Sequence, residues 1–285
     1  MERDRTVELS AGTLRYADVG QGSSVVFVHG IMTNGNVWRG VVARLAGRRC
    51  IVPDWPLGSH AAPLRPDADV SPPAVARLVL ELLDKLDLRD VTLVGNDSGG
   101  ALCQMAIAEN ADRVGRLVLT TCDAFELFPP PPFGYLKVVA RLPGVPALMA
   151  KAMRAFPRLA RLPLAYGRVT KKPLDEAILV EWLAPAASDR AIRRDLVKFL
   201  RGVTSRDTLA AAEALPRFGK PALVVWTPED PSFPLSLGER LAKALPAARL
   251  ELIADAHVFV SEDQPERLAA LIDAFVGGAS ARPAA

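Results

Sequence analysis

Ten residues limit this chain more than any others: Val91-Thr-Leu-Val-Gly-Asn-Asp-Ser-Gly-Gly100. A short β-branched and apolar run ends at Gly95, and a second glycine follows at Gly99. The pattern predicts a buried strand that turns at once into a helix, through a turn too tight for side chains at the flanking positions. Glycines stand two residues before and two after Asp97, which makes Asp97 the apex; with Ser98 there, Asn96 would crowd the turn. The apex side chain is pushed out above the end of the strand. The turn also aims the Ser98 N–H, with a helix N-terminus behind it, at negative charge forming beside Asp97. A plain helix N-cap would place an Asp here as well, so the rest of the chain has to decide.

Short apolar runs alternate with longer helical patterns along most of the sequence, as in a mostly parallel sheet covered by helices on both faces. Residues 6–9 and 13–18 read as an opening antiparallel pair, and 24–28, 50–53, 91–95, 114–120, 222–227 and 249–253 as strands buried on both sides. Helical patterns cover 38–45, 73–86, 99–110, 237–245 and 265–276, with Pro73 and Pro265 suited to a first turn. The small, Pro-containing tail from Gly277 reads as frayed. Between about Phe125 and Leu215 the strand pattern stops. That stretch opens on Pro129 to Pro132 and reads as helices broken by prolines, so the expected division is 1–124 and 216–285 as one α/β unit and 125–215 as an all-helical insertion.

Apolar residues make up 50% of the chain and charged residues 24%, a globular balance that excludes a disordered or collagen-like polymer. The net charge of +3 is too small to imply nucleic-acid binding. It is unevenly spread: 125–215 hold 15 basic and 8 acidic residues, a net +7, against −4 for the remainder. A solvated helical surface is the plainer account of that excess; attraction of an anionic substrate or partner, and contact of the apolar and basic stretch Lys137 to Arg161 with a membrane surface, are the alternatives. Cys50, Cys103 and Cys122 are too few and scattered for a disulfide framework or a metal site, and read as core residues. The charged N-terminus lacks an apolar signal region and no run approaches a membrane span, so a soluble, cytoplasmic protein without stable membrane association is expected. Only His29, His60 and His257 can exchange protons near neutrality as first-choice groups.

With three further motifs, the strand-turn-helix resembles the α/β-hydrolase fold superfamily, and within it the Asp-nucleophile branch of epoxide hydrolases and haloalkane dehalogenases. Val26-Phe-Val-His-Gly30 is similar to the loop supplying a second oxyanion N–H, here from Ile31, and its distance to Trp38-Arg39 is that of this branch. The stretch from Val224 through Asp230 resembles the strand and loop of the family's acid, and Asp255-Ala-His257, followed by Asp263-Gln-Pro265, the loop of its histidine. The resemblance implies a mostly parallel eight-stranded sheet flanked by helices with an inserted helical cap. It also implies Asp97 as nucleophile, Ile31 and Ser98 as oxyanion hole, and His257 activating water with Asp230 behind it. His29 and His60 then have structural roles, and Asp123 competes with Asp230 as the acid.

The same resemblance points to a small, hydrophobic substrate and no cofactor or metal, in a monomer or homodimer. Haloalkane dehalogenases donate to halide from an Asn after His-Gly and a Trp after the nucleophile; Ile31 and Ser98 stand there instead. Epoxide hydrolases have a Pro where Met32 stands, and two cap tyrosines that Tyr135 and Tyr166 match only loosely. Epoxide opening is the best specific expectation, since it demands less of the residue after the nucleophile. Trp38, Trp182, Phe128, Tyr135, Tyr166 and Asp123 are candidate pocket residues. The alternatives are a dehalogenase-like hydrolase, a serine-type ester or lactone hydrolase using Ser98, and a non-catalytic binding protein on the same fold.

Overall fold

Eight strands form one sheet in the computed structural model, which describes residues 1–280. They are β1 (Arg5–Leu9), β2 (Gly12–Val19), β3 (Ser23–Val28), β4 (Arg48–Pro53), β5 (Val91–Asp97), β6 (Val114–Cys122), β7 (Ala222–Trp226) and β8 (Ala248–Leu252). The spatial order is β1-β2-β4-β3-β5-β6-β7-β8, with β1, β2 and β4 antiparallel to one another in turn and every later pair parallel. Residues Val91 to Asn96 of β5 are all buried. A central parallel strand has helices on both faces, which is why its sequence is continuously apolar rather than alternating.

The helices follow in chain order as α1 (Arg39–Val42), α2 (Pro72–Lys85), α3 (Ser98–Glu109), α4 (Tyr135–Val139), α5 (Val145–Ala155), α6 (Pro157–Ala160), α7 (Glu176–Ser188), α8 (Arg190–Gly202), α9 (Ser205–Ala212), α10 (Leu235–Ala244), α11 (Val260–Asp263) and α12 (Pro265–Ser280). α2 packs on α3, and α1 on α12. The helical pattern at 38–45 resolves into a 3₁₀ turn, Gly35–Trp38, that runs into the short α1; Asn34 caps it by accepting the Asn36 N–H at 3.0 Å. α12 continues through Gly277 and Gly278 to Ser280, where fraying was expected, and the rest of that tail, 281–285, lies outside the described residues. No helix among the described residues is long and apolar enough to cross a membrane.

Between β6 and β7 the described elements are helices and turns. This segment is fixed to the sheet by acidic side chains and by bases such as Arg194 and Lys198, which donate to the Leu64, Pro66 and Ala68 carbonyls. Asp195 on α8, fully buried, accepts the Leu64 N–H at 2.8 Å and faces His60 Nε2 at 3.4 Å. Glu181 on α7 takes donors from Arg3, Asn34 and Asn36. From the sheet side, Asp263 accepts the backbone N–H groups of Lys171 and Lys172.

The β5-to-α3 turn is closed against β3. A Cβ placed on Gly99 would lie 2.2 Å from the Val28 carbonyl oxygen and 2.6 Å from that of His29. Gly99→Ala is therefore expected to destabilise the fold by roughly 1–3 kcal/mol through overpacking, read as a lower urea midpoint. An unchanged midpoint would mean that α3 can move off β3 without loss.

Candidate active site

The carboxyl ends of β5, β6 and β7 deliver three carboxyl groups to one region, the usual location of a site in an open α/β sheet. Asp97 ends β5 with φ 53° and ψ −134°, a conformation that costs a non-glycine residue on the order of 1–3 kcal/mol and persists only where the surroundings impose it. Its side chain turns back over the His-Gly loop, accepting hydrogen bonds from the Ser98 and Ile31 N–H groups. A Cβ on Gly30 would fall 2.0 Å from Asp97 Oδ2, so only glycine leaves room for this carboxylate. Burial pushes the Asp97 carboxyl up to about 7, with the Asp230 charge adding to the rise and the two N–H groups opposing it.

Asp123 follows β6 directly and is 1% exposed. Its backbone N–H donates to the Asp97 carbonyl at 3.4 Å, its carboxyl is hydrogen-bonded by the Ser98 side chain, and its Oδ1 has no partner. Burial and the Asp97 charge hold its carboxyl well above the ordinary range. Asp230, in the loop after β7, is saturated by backbone donors. Oδ1 accepts from Ser232 and Phe233 at 2.8 and 2.7 Å, and Oδ2 from Val258 at 2.6 Å. Its carboxyl is nevertheless raised, because burial outweighs those three bonds.

His257 does not join Asp97 and Asp123. Its N–H donates to Asp263 at 2.9 Å, and its Nδ1 faces the Arg168 carbonyl at 3.1 Å. Among the described residues its ring is hydrogen-bonded at the Arg168 carbonyl and not to Asp230, and it does not line the cavity above Asp97, yet it lies close enough to Asp230 to oppose the rise of that carboxyl. The cause lies in the loop backbone. Val258 is clamped on both sides, its N–H to Asp230 and its carbonyl to Asn96 Nδ2 at 2.6 Å, and this turns residue 257 toward the helical segment.

The cavity measures about 140 Å³, close to the size of apolar cavities that hold a single benzene ring. Ile31, Asp97, Ser98 and Asp123 line it from the sheet side, and Tyr135 and Tyr166 from the helical segment. The Tyr166 hydroxyl donates to the Met32 carbonyl at 2.5 Å and that of Tyr135 to the Leu164 carbonyl, so both phenols are engaged by backbone. Trp38, Trp182 and Phe128 are core residues and not pocket residues. Trp38 packs on Phe27 at 5.0 Å, Trp182 on Tyr166 at 5.6 Å, and none of the three lines the cavity. Phe133, Met149, Met153, Val169 and Phe259 do line it, and sequence reasoning did not single them out. The available signal was the apolar spacing of Pro146, Met149 and Met153 on one face of α5.

His29 is buried and neutral, its ring lowered to about 3 by desolvation; Nε2 accepts the Trp55 N–H at 2.8 Å. His60 braces the loop after β4 against Asp195. Among the described residues no group of three His, Cys, Asp or Glu side chains is arranged to hold a metal.

Comparison with known proteins follows this geometry. The alpha/beta hydrolase fold family model matches residues 23–265. A haloalkane dehalogenase 2 of Mycobacterium tuberculosis is 28% identical over 274 residues, covering 94% of this chain and 93% of its own. A cis-3-alkyl-4-alkyloxetan-2-one decarboxylase of Shewanella oneidensis is 26% identical over 275 residues, covering 92% and 85%. The crystal structure of an alpha/beta hydrolase fold protein from Burkholderia ambifaria superimposes with a TM-score of 0.78 at 23% identity over 95% of this chain and 97% of its own, a likeness of fold.

Holding Asp97 where its carboxyl rises from 3.8 to about 7 makes the folded state bind that proton more tightly than the unfolded chain. Stability is then greatest below pH 4 for this group and declines as pH rises to about 7, by up to about 4 kcal/mol. Asp97→Asn should raise the thermal midpoint by several degrees at pH 8, with a smaller gain at pH 5. Equal gains at the two pH values would contradict a burial origin.

Proposed function

The chain belongs to the alpha/beta hydrolase fold family, and from that premise we propose that it opens a small apolar electrophile by forming a covalent ester on Asp97. The observation that carries the reading is the Asp97 carboxylate itself, held on two backbone N–H groups at the floor of an apolar cavity. One oxygen attacks an electrophilic carbon, and the resulting ester carbonyl already lies against the Ile31 and Ser98 donors that stabilise its hydrolysis.

The substrate class we favour is a strained oxygen ring, with an epoxide as the specific choice. Halide release is less well served, since neither Ile31 nor Ser98 carries a side-chain N–H to receive the leaving ion. The relative from Shewanella oneidensis is named for a four-membered oxygen ring, which supports ring opening as a chemistry of this scaffold. An opened ring leaves an alkoxide that must be protonated. With both phenols engaged by backbone carbonyls and His257 at the Arg168 carbonyl, Asp123 is the protonated group beside Asp97. In this reading Asp123 donates that proton as the Asp97 C–O bond forms and takes one back from the water that hydrolyses the ester. The sequence-based alternative gives the second task to His257 with Asp230, which requires the imidazole to leave the Arg168 carbonyl.

Trapping the ester tests the step common to both readings, and variants of Asp123 and His257 separate them. Purified protein is offered epoxides, haloalkanes and p-nitrophenyl esters in turn, and peptides are weighed after denaturation. An epoxide-sized mass gain is expected on the peptide containing Asp97 and is absent in Asp97→Asn; a gain on Ser98 would move the protein to the serine class, and none anywhere would favour a binding protein. Asp123→Asn should slow epoxide turnover on the order of a hundredfold or more, while His257→Gln leaves it within a few-fold; the reverse pattern restores His257 as the base. Ester formation should fall as pH drops through about 7, where Asp97 takes up its proton.

A further inference from the structure

The outer side of the helical segment differs from the rest of the surface in charge and in apolar exposure together. From residue 127 to residue 174 the chain has nine Lys and Arg and no Asp or Glu. Val138, Leu142, Leu148, Phe156, Leu162 and Leu164 in this stretch are 47–69% exposed, and no large hydrophobic residue elsewhere among the described residues exceeds 45%. Lys137, Arg141, Lys151, Arg154, Arg158 and Arg161 lie between them. None of the six makes an ion pair among the described residues, whereas Arg39, Arg48, Arg49, Arg113 and Arg240 of the sheet unit do. Apolar side chains left in water beside unpaired cations are the composition of an interfacial surface, in which the side chains enter the headgroup boundary and the cations meet lipid phosphates.

The placement adds a geometric argument. α5 is two-faced, with Pro146, Met149 and Met153 lining the cavity while Leu148, Lys151 and Arg154 face away. Leu164 belongs to both surfaces, lining the cavity while 62% exposed. The patch thus begins at the rim of the cavity and continues over the helix that covers it.

We propose that residues 137–164 form a reversible docking surface for an anionic lipid bilayer, which sets the cavity rim against the apolar phase. The inference is independent of the chemistry at Asp97. The occupant follows from charge: a patch with cations and no carboxylate complements an anionic headgroup layer and repels a second copy of itself. The short helices, interrupted by Pro143, Pro157 and Pro163, lie on such a layer and do not cross it.

Vesicle flotation of the full chain tests this. With vesicles of phosphatidylcholine and phosphatidylglycerol in equal parts the protein is expected to float, with phosphatidylcholine alone to stay in solution, and high salt should release it. The combined variant Lys151→Gln, Arg154→Gln and Arg158→Gln should weaken binding on the order of a hundredfold, and Phe156→Glu, at an exposed position, should weaken it separately. Far-UV circular dichroism and the thermal midpoint verify that each variant is folded. Equal binding to neutral vesicles, no binding to either, or a dimer in size exclusion that the same substitutions dissolve would each overturn the proposal.

Discussion

Everything at the carboxyl end of the sheet depends on where the Asp97 carboxylate is forced to lie. The turn holds φ at 53°, which points the side chain back across β3 instead of along α3. Once there, it occupies the space that a side chain at residue 30 would need, and it consumes the N–H groups of Ile31 and Ser98. The glycines at 30 and 99 are consequences of that one placement, since one makes room for the carboxylate and the other lets α3 start against the β3 backbone. The same placement removes Asp97 from water, and this is why a carboxyl at the end of a strand titrates about where a histidine would.

Three buried carboxyls within one region would repel one another were they all ionised, and among the described residues no Lys or Arg pairs with them, although the His257 ring opposes the rise of Asp230. Backbone N–H groups do part of that work. Asp230 is surrounded by three of them and Asp97 by two, and dipoles fixed by the fold stabilise a charge without the mobility of a cation. Asp123 also has two donors, the Ser98 side chain and its own backbone, but burial and the adjacent Asp97 charge outweigh them and hold its carboxyl well above the ordinary range. Burial, set against these bonds and the neighbouring charges, raises all three carboxyls.

The sheet and the turn were legible in the sequence because both are local. A β-branched run, two glycines and an acidic apex state their own geometry, and the parallel strands announce double burial by unbroken apolarity. The direction of the His257 ring was not legible, because side-chain direction in an irregular loop is decided by distant partners. The Asp263 carboxylate takes the 257 N–H, Asp230 and Asn96 take the two sides of residue 258, and none of these bonds leaves a mark in the spacing of the motif. Trp38 and Trp182 suited pocket and core equally on size and chemistry; the packing that buries them against Phe27, Tyr166 and Phe259 is a property of three dimensions. The cavity walls were hardest to see, since an apolar helical face looks the same whether it meets a core or a cavity.

The cationic outer face and the attachment of the helical segment are both set by where its charged residues fall. The segment holds few acidic residues, and those it holds are mostly turned inward or used up at helix starts. Asp195 and Glu181 bond to the loops after β4 and β3, and Asp175 and Asp189 cap α7 and α8 through the Ala177 and Ala191 N–H groups. Glu126 pairs with Arg240 of the sheet unit. Carboxylates are compact acceptors that reach backbone N–H groups at a junction, while Lys and Arg are long donors that extend into water. Some bases join the interface too, Lys171 against Glu229 and Asp255 and Lys198 against the Pro66 and Ala68 carbonyls, while those between residues 137 and 161 make no ion pair among the described residues. The face over the cavity stays cationic because the stretch from 127 to 174 holds no Asp or Glu of its own.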